Sequence, residues 1–348
     1  MKTCSALARR GHEVVLVAKR GEEVETDDIH AFYCVERSFE IENVARPKRR
    51  GGGLVYMAGT ASQVVRRRSW ADLVYCRDPI GALLASELRM PLVLEVHGVP
   101  TSPWLRGVVS RVAASPRTKG VVAITESLRQ DLRTEGLVPN SCPIVVAPDA
   151  CDPPTSTVRA GRGTPPMIGY VGNLYAGRGI ETILELARRM PACKFQIVGG
   201  RTADLEKWRT QELPPNLELV GFRPQAELPA FYANFDVVLM PHAISGVVGA
   251  TGTSDISRWT SPMKMFEYMA SGVAMVATDL PVLREVLEHE TNALLVPSSD
   301  LDAWQCAIQR LLDDNHLRTT IATRAQDQVR AHYTWDARMR TVSDELAL

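Results

Sequence analysis

The chain has 348 residues, enough for two α/β cores of ordinary size and too many for one small core. Hydrophobic residues make up 45% and charged residues 23%, and 40 basic side chains cancel 40 acidic ones. Nothing global therefore points to a nucleic-acid binder, which would carry a basic surplus. The seven cysteines (Cys4, Cys34, Cys76, Cys142, Cys151, Cys193, Cys306) are odd in number and form no C-x-x-C pair. That argues against a disulfide framework or a structural zinc site and fits a reducing cytoplasm. No apolar run reaches the roughly 18 residues of a spanning helix, and the N-terminus lacks the order of a signal peptide.

Along the chain, short runs rich in Val, Ile and Leu alternate with amphipathic stretches of helical period. The strand candidates of the first half are residues 14–18, 73–76, 92–96, 121–124 and 144–147. Two basic clusters interrupt them, Arg46, Lys48, Arg49 and Arg50, then Arg66, Arg67 and Arg68. They read as a solvated loop or as a patch for phosphorylated or anionic lipid groups. Residues 148–166, dense in Pro, Gly, Ser and Thr, read as an interdomain linker. The second half offers strands at 167–171, 195–198, 217–220, 237–240, 274–277 and 293–296. Apolar runs without strict alternation belong to strands buried on both faces, as in parallel sheets covered by helices. The fold class is therefore α/β, with two Rossmann-like, doubly wound domains facing a cleft, at 1–155 and 156–330.

Three stretches carry residues suited to chemistry. In LEVHGVP, His97 stands just past a buried strand, where it can hydrogen-bond a ligand or serve as a satisfied structural histidine. In IGYVGNLYAGRGIETILELARRMP, a strand ends at Gly172 and a loop through Asn173 leads to Arg178 at the mouth of a long helix. The guanidinium fork suits a phosphate there, although a tight turn with a surface arginine would read the same. In TSPMKMFEYMASG, Ser261 is a candidate N-cap, Pro262 suits the first helical position and Gly272 the stop. The backbone N–H groups of Met263, Lys264 and Met265, with the Lys264 charge, make that helix start a candidate diphosphate site. Glu267, one turn on, can accept two hydrogen bonds from the vicinal hydroxyls of a ribose, or simply pair with Lys264. The Asp300-Leu301-Asp302 triplet reads as an N-cap with a first-turn acid rather than a metal motif.

These stretches, in this order and spacing, resemble family 4 of the retaining glycosyltransferases, which have the two-domain GT-B architecture. The resemblance runs over nearly the whole chain, from ALARRGHEVVLVA through DLVYCRDPIGALLASELRMPLVLEVHG and VVAITESLRQDLRTEG. It continues through YVGNLYAGRGIE, LVGFRPQAELPAFYANFDVVLMP and SPMKMFEYMASGVAMVATDLPVLREVL, the last being the most specific. It implies that residues 331–348 are the helix that completes the first domain. It implies that Glu267 holds the donor ribose, that Arg178 binds the diphosphate, and that Met263, Lys264 and Met265 meet its oxygens. It further implies that Gly221 and Phe222 recognise the nucleobase through the main chain, and that His97 lies near the donor sugar.

The activity implied by the resemblance is transfer of a sugar from a nucleotide-diphosphate sugar to an acceptor hydroxyl, on a glycan, a lipid or a small molecule, with the anomeric configuration retained. No cofactor or metal is implied, nor a nucleic-acid partner; the expected place is the cytoplasm, with peripheral contact to anionic membrane through the basic clusters. The chain departs from the family at Trp259, where an acid eight residues before Glu267 is usual, at Asn173, usually basic, and at Asp149-Ala150, usually Asn-Gly. Family members also begin with a strand and a glycine-rich turn, whereas this sequence starts within the helix that should come after them. Either the true start lies upstream or the first domain is rearranged. The rival readings are a non-catalytic or truncated nucleotide-sugar binder and a nucleotide-sugar epimerase. A dehydrogenase is disfavoured because neither half opens with G-x-G-x-x-G.

Overall fold

The structure is a computed structural model that describes residues 1–19, 28–45, 52–153, 163–247 and 255–348. The chain divides into two compact units, 1–148 with 335–348, and 149–334. The first division falls earlier than residue 155 because residues just beyond Pro148 are fastened to the second unit. The Asp149 N–H donates to the Ser261 hydroxyl at 2.9 Å, and the Cys151 N–H donates to the Tyr333 carbonyl at 3.0 Å.

Unit 1 contains α1 (Lys2–Arg9), β1 (Val15–Lys19), α2 (Ile29–Phe32), β2 (Glu40–Val44), α3 (Gly52–Arg66) and β3 (Val74–Cys76). It continues with α4 (Pro79–Glu87), β4 (Leu92–Val96), α5 (Pro103–Ala113), β5 (Thr118–Ala123), α6 (Glu126–Thr134) and β6 (Ile144–Val146). Its strands lie in two parallel sheets, a pair β1-β2 and a four-stranded sheet in the order β3-β4-β5-β6. Strand β2 has no counterpart among the expected strands. Its sequence EIENV carries two acids and stays partly exposed along most of its length, so it lacks the apolar run that marks the others. In β4, by contrast, all five residues are buried.

Unit 2 opens with β7 (Met167–Val171), α7 (Ile180–Arg189), β8 (Lys194–Val198), α8 (Thr202–Arg209), β9 (Leu217–Gly221) and α9 (Leu228–Asn234). It goes on through β10 (Val237–Met240), α10 (Met263–Ser271), β11 (Ala274–Thr278), β12 (Leu294–Val296), α11 (Leu301–Asp313) and α12 (Asn315–His332). All six strands are parallel, in the order β12-β11-β10-β7-β8-β9. Alternate side chains enter opposite cores, as a period of two demands. Ile168, Tyr170, Val237, Leu239, Ala274 and Val276 pack with α7 and α11. Val171, Val238, Met240, Met275 and Ala277 pack with α9 and α10. Both faces are covered, and this is why the strands read as unbroken apolar runs.

The last helix, α13 (Trp335–Leu346), belongs to unit 1. Arg338 on it bonds the Pro148 carbonyl at 2.8 Å and the Glu95 carboxylate at 3.0 Å. Asp300 caps α11 by accepting from the Ala303 N–H at 2.9 Å, and Asp302 pairs with Arg189, so neither is arranged as a metal ligand.

Candidate functional site

In unit 2, β7 comes first in sequence and sits mid-sheet, with β8 and β9 laid down on one side and β10, β11 and β12 on the other. The order reverses between β7 and β10, and ligands of doubly wound sheets bind beyond the carboxyl ends of the strands at such a point. Here the two strands part early. Ile168 pairs with Val237 and Gly169 with Val238, and the register goes no further. The backbone released at Val171 is satisfied by α10: the Tyr268 hydroxyl accepts from its N–H at 2.7 Å and donates to its carbonyl at 2.9 Å. A buried tyrosine hydroxyl thus pins α10 to the end of β7.

Four residues before Tyr268, and so on the same helix face, Lys264 reaches toward the same strand. Its ammonium donates to the Tyr170 hydroxyl at 2.9 Å and lies 4.2 Å from the ring centroid. Tyr170 passes the chain on by donating to the Asn173 carbonyl at 2.7 Å. A methyl group at Gly172 would touch the Lys264 stem at 3.3 Å, so lysine and strand end are in contact. Burial first, and the Arg178 charge second, push the Lys264 amine well below its ordinary range, while the Glu267 carboxylate pulls it back. Arg178 stands between Gly177 and Gly179 at the end of the β7–α7 loop, and burial lowers its pKa too. Gly179 has φ +74, and a Cβ there would lie 1.8 Å from the Pro241 carbonyl oxygen, so only glycine lets this loop close on the end of β10. Nη1 of Arg178 lies 2.6 Å from Nε2 of His242.

His242 belongs to none of the three stretches singled out in the sequence. It stands two positions past the fully buried β10 and is 0% exposed. The signal that selects His97, a histidine just beyond a buried parallel strand, applies equally to it. Burial first, then the charges of Lys264 and Arg178, hold its pKa well below the usual histidine value, so the ring is neutral. The loop holding Arg178 also borders a cavity of about 370 Å³, lined with residues 241–246, Ser298 and Ser299.

The start of α10 differs by one residue from expectation. Pro262, in extended conformation, is the N-cap, and Met263 is the first helical residue. Ser261 instead spends its hydroxyl on Asp149. The Met265 N–H is turned to the Pro262 carbonyl at 2.8 Å, which corrects the expectation that it presents itself to a ligand. Gly272 ends the helix with φ +70, as expected. Glu267 is half-buried, 3.4 Å from the Tyr232 hydroxyl.

Gly221 ends β9, two strands from β7, which is roughly 10 Å at about 4.8 Å per strand. Its carbonyl accepts from the Gly199 N–H at 2.8 Å, and Gly199 has φ +118, with no room for a Cβ against the Gly172 carbonyl at 2.3 Å. The Phe222 carbonyl accepts from Arg223 at 3.0 Å, and its ring is 58% exposed. Each of these two carbonyls accepts one hydrogen bond within the chain, and Phe222 is an exposed residue.

Unit 1 holds His97 in a different kind of cluster. Its Nε2 lies 2.6 Å from Glu95, whose carboxylate can only accept, so this nitrogen carries the proton. Nδ1 then accepts from Arg77 at 3.2 Å. Both ring nitrogens are engaged, and a ligand would have to displace Arg77. Glu95 is 3% exposed. Burial alone would raise its carboxyl, but Arg338, His97 and Arg77 outweigh burial and hold it far below the usual range. The Tyr75 hydroxyl also donates to it.

Of the basic clusters, Arg46, Lys48, Arg49 and Arg50 lie outside the described residues. Arg67 is tied to Glu42 at 2.8 Å, and Arg66 and Arg68 are exposed. Among the described residues no three His, Cys, Asp or Glu side chains gather as metal ligands, and no helix is long and apolar enough to cross a membrane.

Known proteins resemble the chain at two levels, sequence and fold. The family described as "Glycosyltransferase Family 4" matches residues 1–153, and "Glycosyl transferases group 1" matches residues 165–314. The chain is 25% identical over 300 residues to an alpha-D-kanosaminyltransferase of Streptomyces kanamyceticus, covering 76% of this chain and 71% of that one. It is 26% identical over 302 residues to a 2-deoxystreptamine glucosyltransferase of the same organism, covering 74% and 73%. A solved structure of Anabaena Alr3699/HepE in complex with UDP superposes with a TM-score of 0.73 at 16% identity, over 97% of this chain and 100% of that one. At that identity the likeness concerns the fold.

Proposed function

The chain belongs to the group 1 and family 4 glycosyltransferases, with their GT-B fold, and from that premise we propose that it transfers a sugar from a nucleotide-diphosphate sugar to an acceptor hydroxyl with retention of configuration. The observation that carries this reading is the pairing of Lys264 and Arg178 at the switch point of unit 2, two partly buried cations each lowered by burial. Buried like charges repel and are costly unless something anionic joins them. A diphosphate would meet both, together with the amino end of α10, within reach of the chain from Gly172 and Asn173. Glu267, one turn further along α10, would take the ribose hydroxyls, and the end of β9 at Gly221 and Phe222 would take the base.

In the proposed reaction the acceptor oxygen forms a bond to the anomeric carbon on the face from which the diphosphate departs. The bond from that carbon to the phosphate oxygen breaks, its electron pair leaves with the diphosphate, and the acceptor proton passes to the departing oxygen. The protein's part is electrostatic: Arg178 and Lys264 stabilise the charge that grows on the leaving group. No metal takes part, because fixed cations fill that role. His97 would accept one hydrogen bond from a hydroxyl of the donor sugar once Arg77 yields Nδ1. Exposed Arg66 and Arg68 would serve a peripheral contact with anionic lipid.

The test is a thermal-shift screen of UDP-, GDP- and ADP-sugars, since a ligand of the folded state raises Tm by mass action. It is followed by a transfer assay on the sugars that bind, with the anomer of the product read by NMR and with a chelator present. A donor that binds and is transferred with retention supports the reading. Donors that bind without transfer or hydrolysis would leave a nucleotide-sugar binder, and inversion or a metal requirement would overturn the mechanism.

A further inference from the structure

We propose that His242 is a positioning residue: a neutral imidazole that takes a hydrogen bond from Arg178 and so aims the rest of that guanidinium at the diphosphate. The inference rests on the proposed donor site and adds to it a residue outside every motif singled out in the sequence.

An arginine fork has donors only, so the nitrogen 2.6 Å from it must offer a lone pair. Nε2 is therefore the bare nitrogen, and the proton sits on Nδ1.

The chemistry of the partner matters. A carboxylate at position 242 would hold Arg178 as firmly but would cancel its charge, leaving little for a phosphate. A neutral imidazole accepts one N–H without cancelling the charge of the guanidinium, which still acts on an anion. Lys264, the other charge acting on His242, pushes it toward the same neutral form.

The backbone makes the contact rigid. The Ala243 N–H donates to the Gly177 carbonyl at 2.9 Å, and the Pro241 carbonyl fills the space where a Gly179 side chain would stand. The two residues flanking Arg178 are thus fastened to the two flanking His242, so the arginine and the histidine meet across fixed supports. Preorganised donors of this kind need little rearrangement as charge develops.

The experiment compares UDP with uridine, and GDP with guanosine, by calorimetry on the full chain, with turnover measured alongside. His242→Leu is expected to weaken diphosphate binding about tenfold and to lower kcat, with nucleoside affinity and Tm unchanged. His242→Gln, whose amide oxygen can accept from Arg178, should recover most of both. Unchanged diphosphate affinity in His242→Leu would overturn the proposal, and so would a parallel loss for diphosphate and nucleoside, which is what a packing role produces. Should His242→Leu not fold, His242→Gln is set against His242→Glu: the proposal expects weaker diphosphate binding in the glutamate variant, and equal binding overturns it. If neither diphosphate binds the wild-type chain more tightly than its nucleoside, the donor reading itself fails and this inference goes with it.

Discussion

Each unit buries charge near the carboxyl ends of its strands, and the two do it in opposite ways. In unit 1 the ions are matched: Glu95 meets Arg338, His97, Arg77 and Tyr75, and the carboxylate and Arg338 are each 2% exposed at the side chain. In unit 2 like charges predominate: the Arg178 charge adds to the burial that lowers Lys264 and the Glu267 carboxylate opposes it, while burial first and then both cations keep His242 neutral. A cluster of matched charges needs no ligand to balance it and holds α13 to the sheet of unit 1. A cluster in which cations predominate would gain from an anion, as the proposed donor site requires. Burial and charge taken alone would rank both as functional sites; the sign of the neighbours separates them.

The sharpest way to break this comparison is to unmatch unit 1. Glu95→Ala leaves Arg338 buried without its carboxylate and is expected to cost about 3–5 kcal/mol, as loss of one partner of a buried pair does. Urea unfolding would read this, and a cost below about 1 kcal/mol would mean that the pair is solvated. The corresponding change in unit 2 should act on function instead. Arg178→Ala is expected to lower kcat by about 10²–10³-fold, the range for removing one preorganised donor from a developing anion, while Tm holds or rises slightly as repulsion with Lys264 is relieved. A matched loss of activity and Tm would place Arg178 with the structural ions.

Glu267→Ala probes the ribose end of the proposed site. Loss of charge-assisted hydrogen bonds to a ribose corresponds to about 1.5–3 kcal/mol, or roughly ten- to hundredfold in donor affinity, with the fold kept. Equal affinity in calorimetry would remove Glu267 from the site. The smallest effect concerns protons. Lys264 is held below its ordinary pKa in the free chain, by burial first and Arg178 second, with Tyr170, Glu267 and His242 as its other titratable neighbours. A bound diphosphate favours the ammonium, so the complex carries more protons than the separate partners, and affinity falls as pH rises through the free-state pKa toward the bound one. Calorimetry in buffers of different ionisation enthalpy should show a fractional proton uptake that Lys264→Met abolishes. Uptake that persists in that variant would assign it to His242.

Much of this was legible in the residues alone. Strands buried on both faces announce themselves as apolar runs, and every such run became a strand, whereas β2, half exposed and carrying Glu40 and Glu42, did not stand out. The helix around Lys264 was visible from its Pro262 and Gly272, since a proline and a glycine have narrow places near helix ends. Its exact start was not, because Ser261 had two uses open to it, and the choice went to Asp149, 112 positions away.

What sequence by itself determined was therefore the set of elements and the identity of the charged residues, because period and local backbone preference act over a few neighbours. What only the tertiary structure decided was which charges meet. Lys264 comes within reach of Tyr170 because Tyr268 closes the ladder that β7 and β10 leave open, and Arg178 reaches His242 because a glycine lets one loop rest on a carbonyl from another strand. Those distances depend on strand order and on where two strands diverge, and neither is written in any local stretch of the chain.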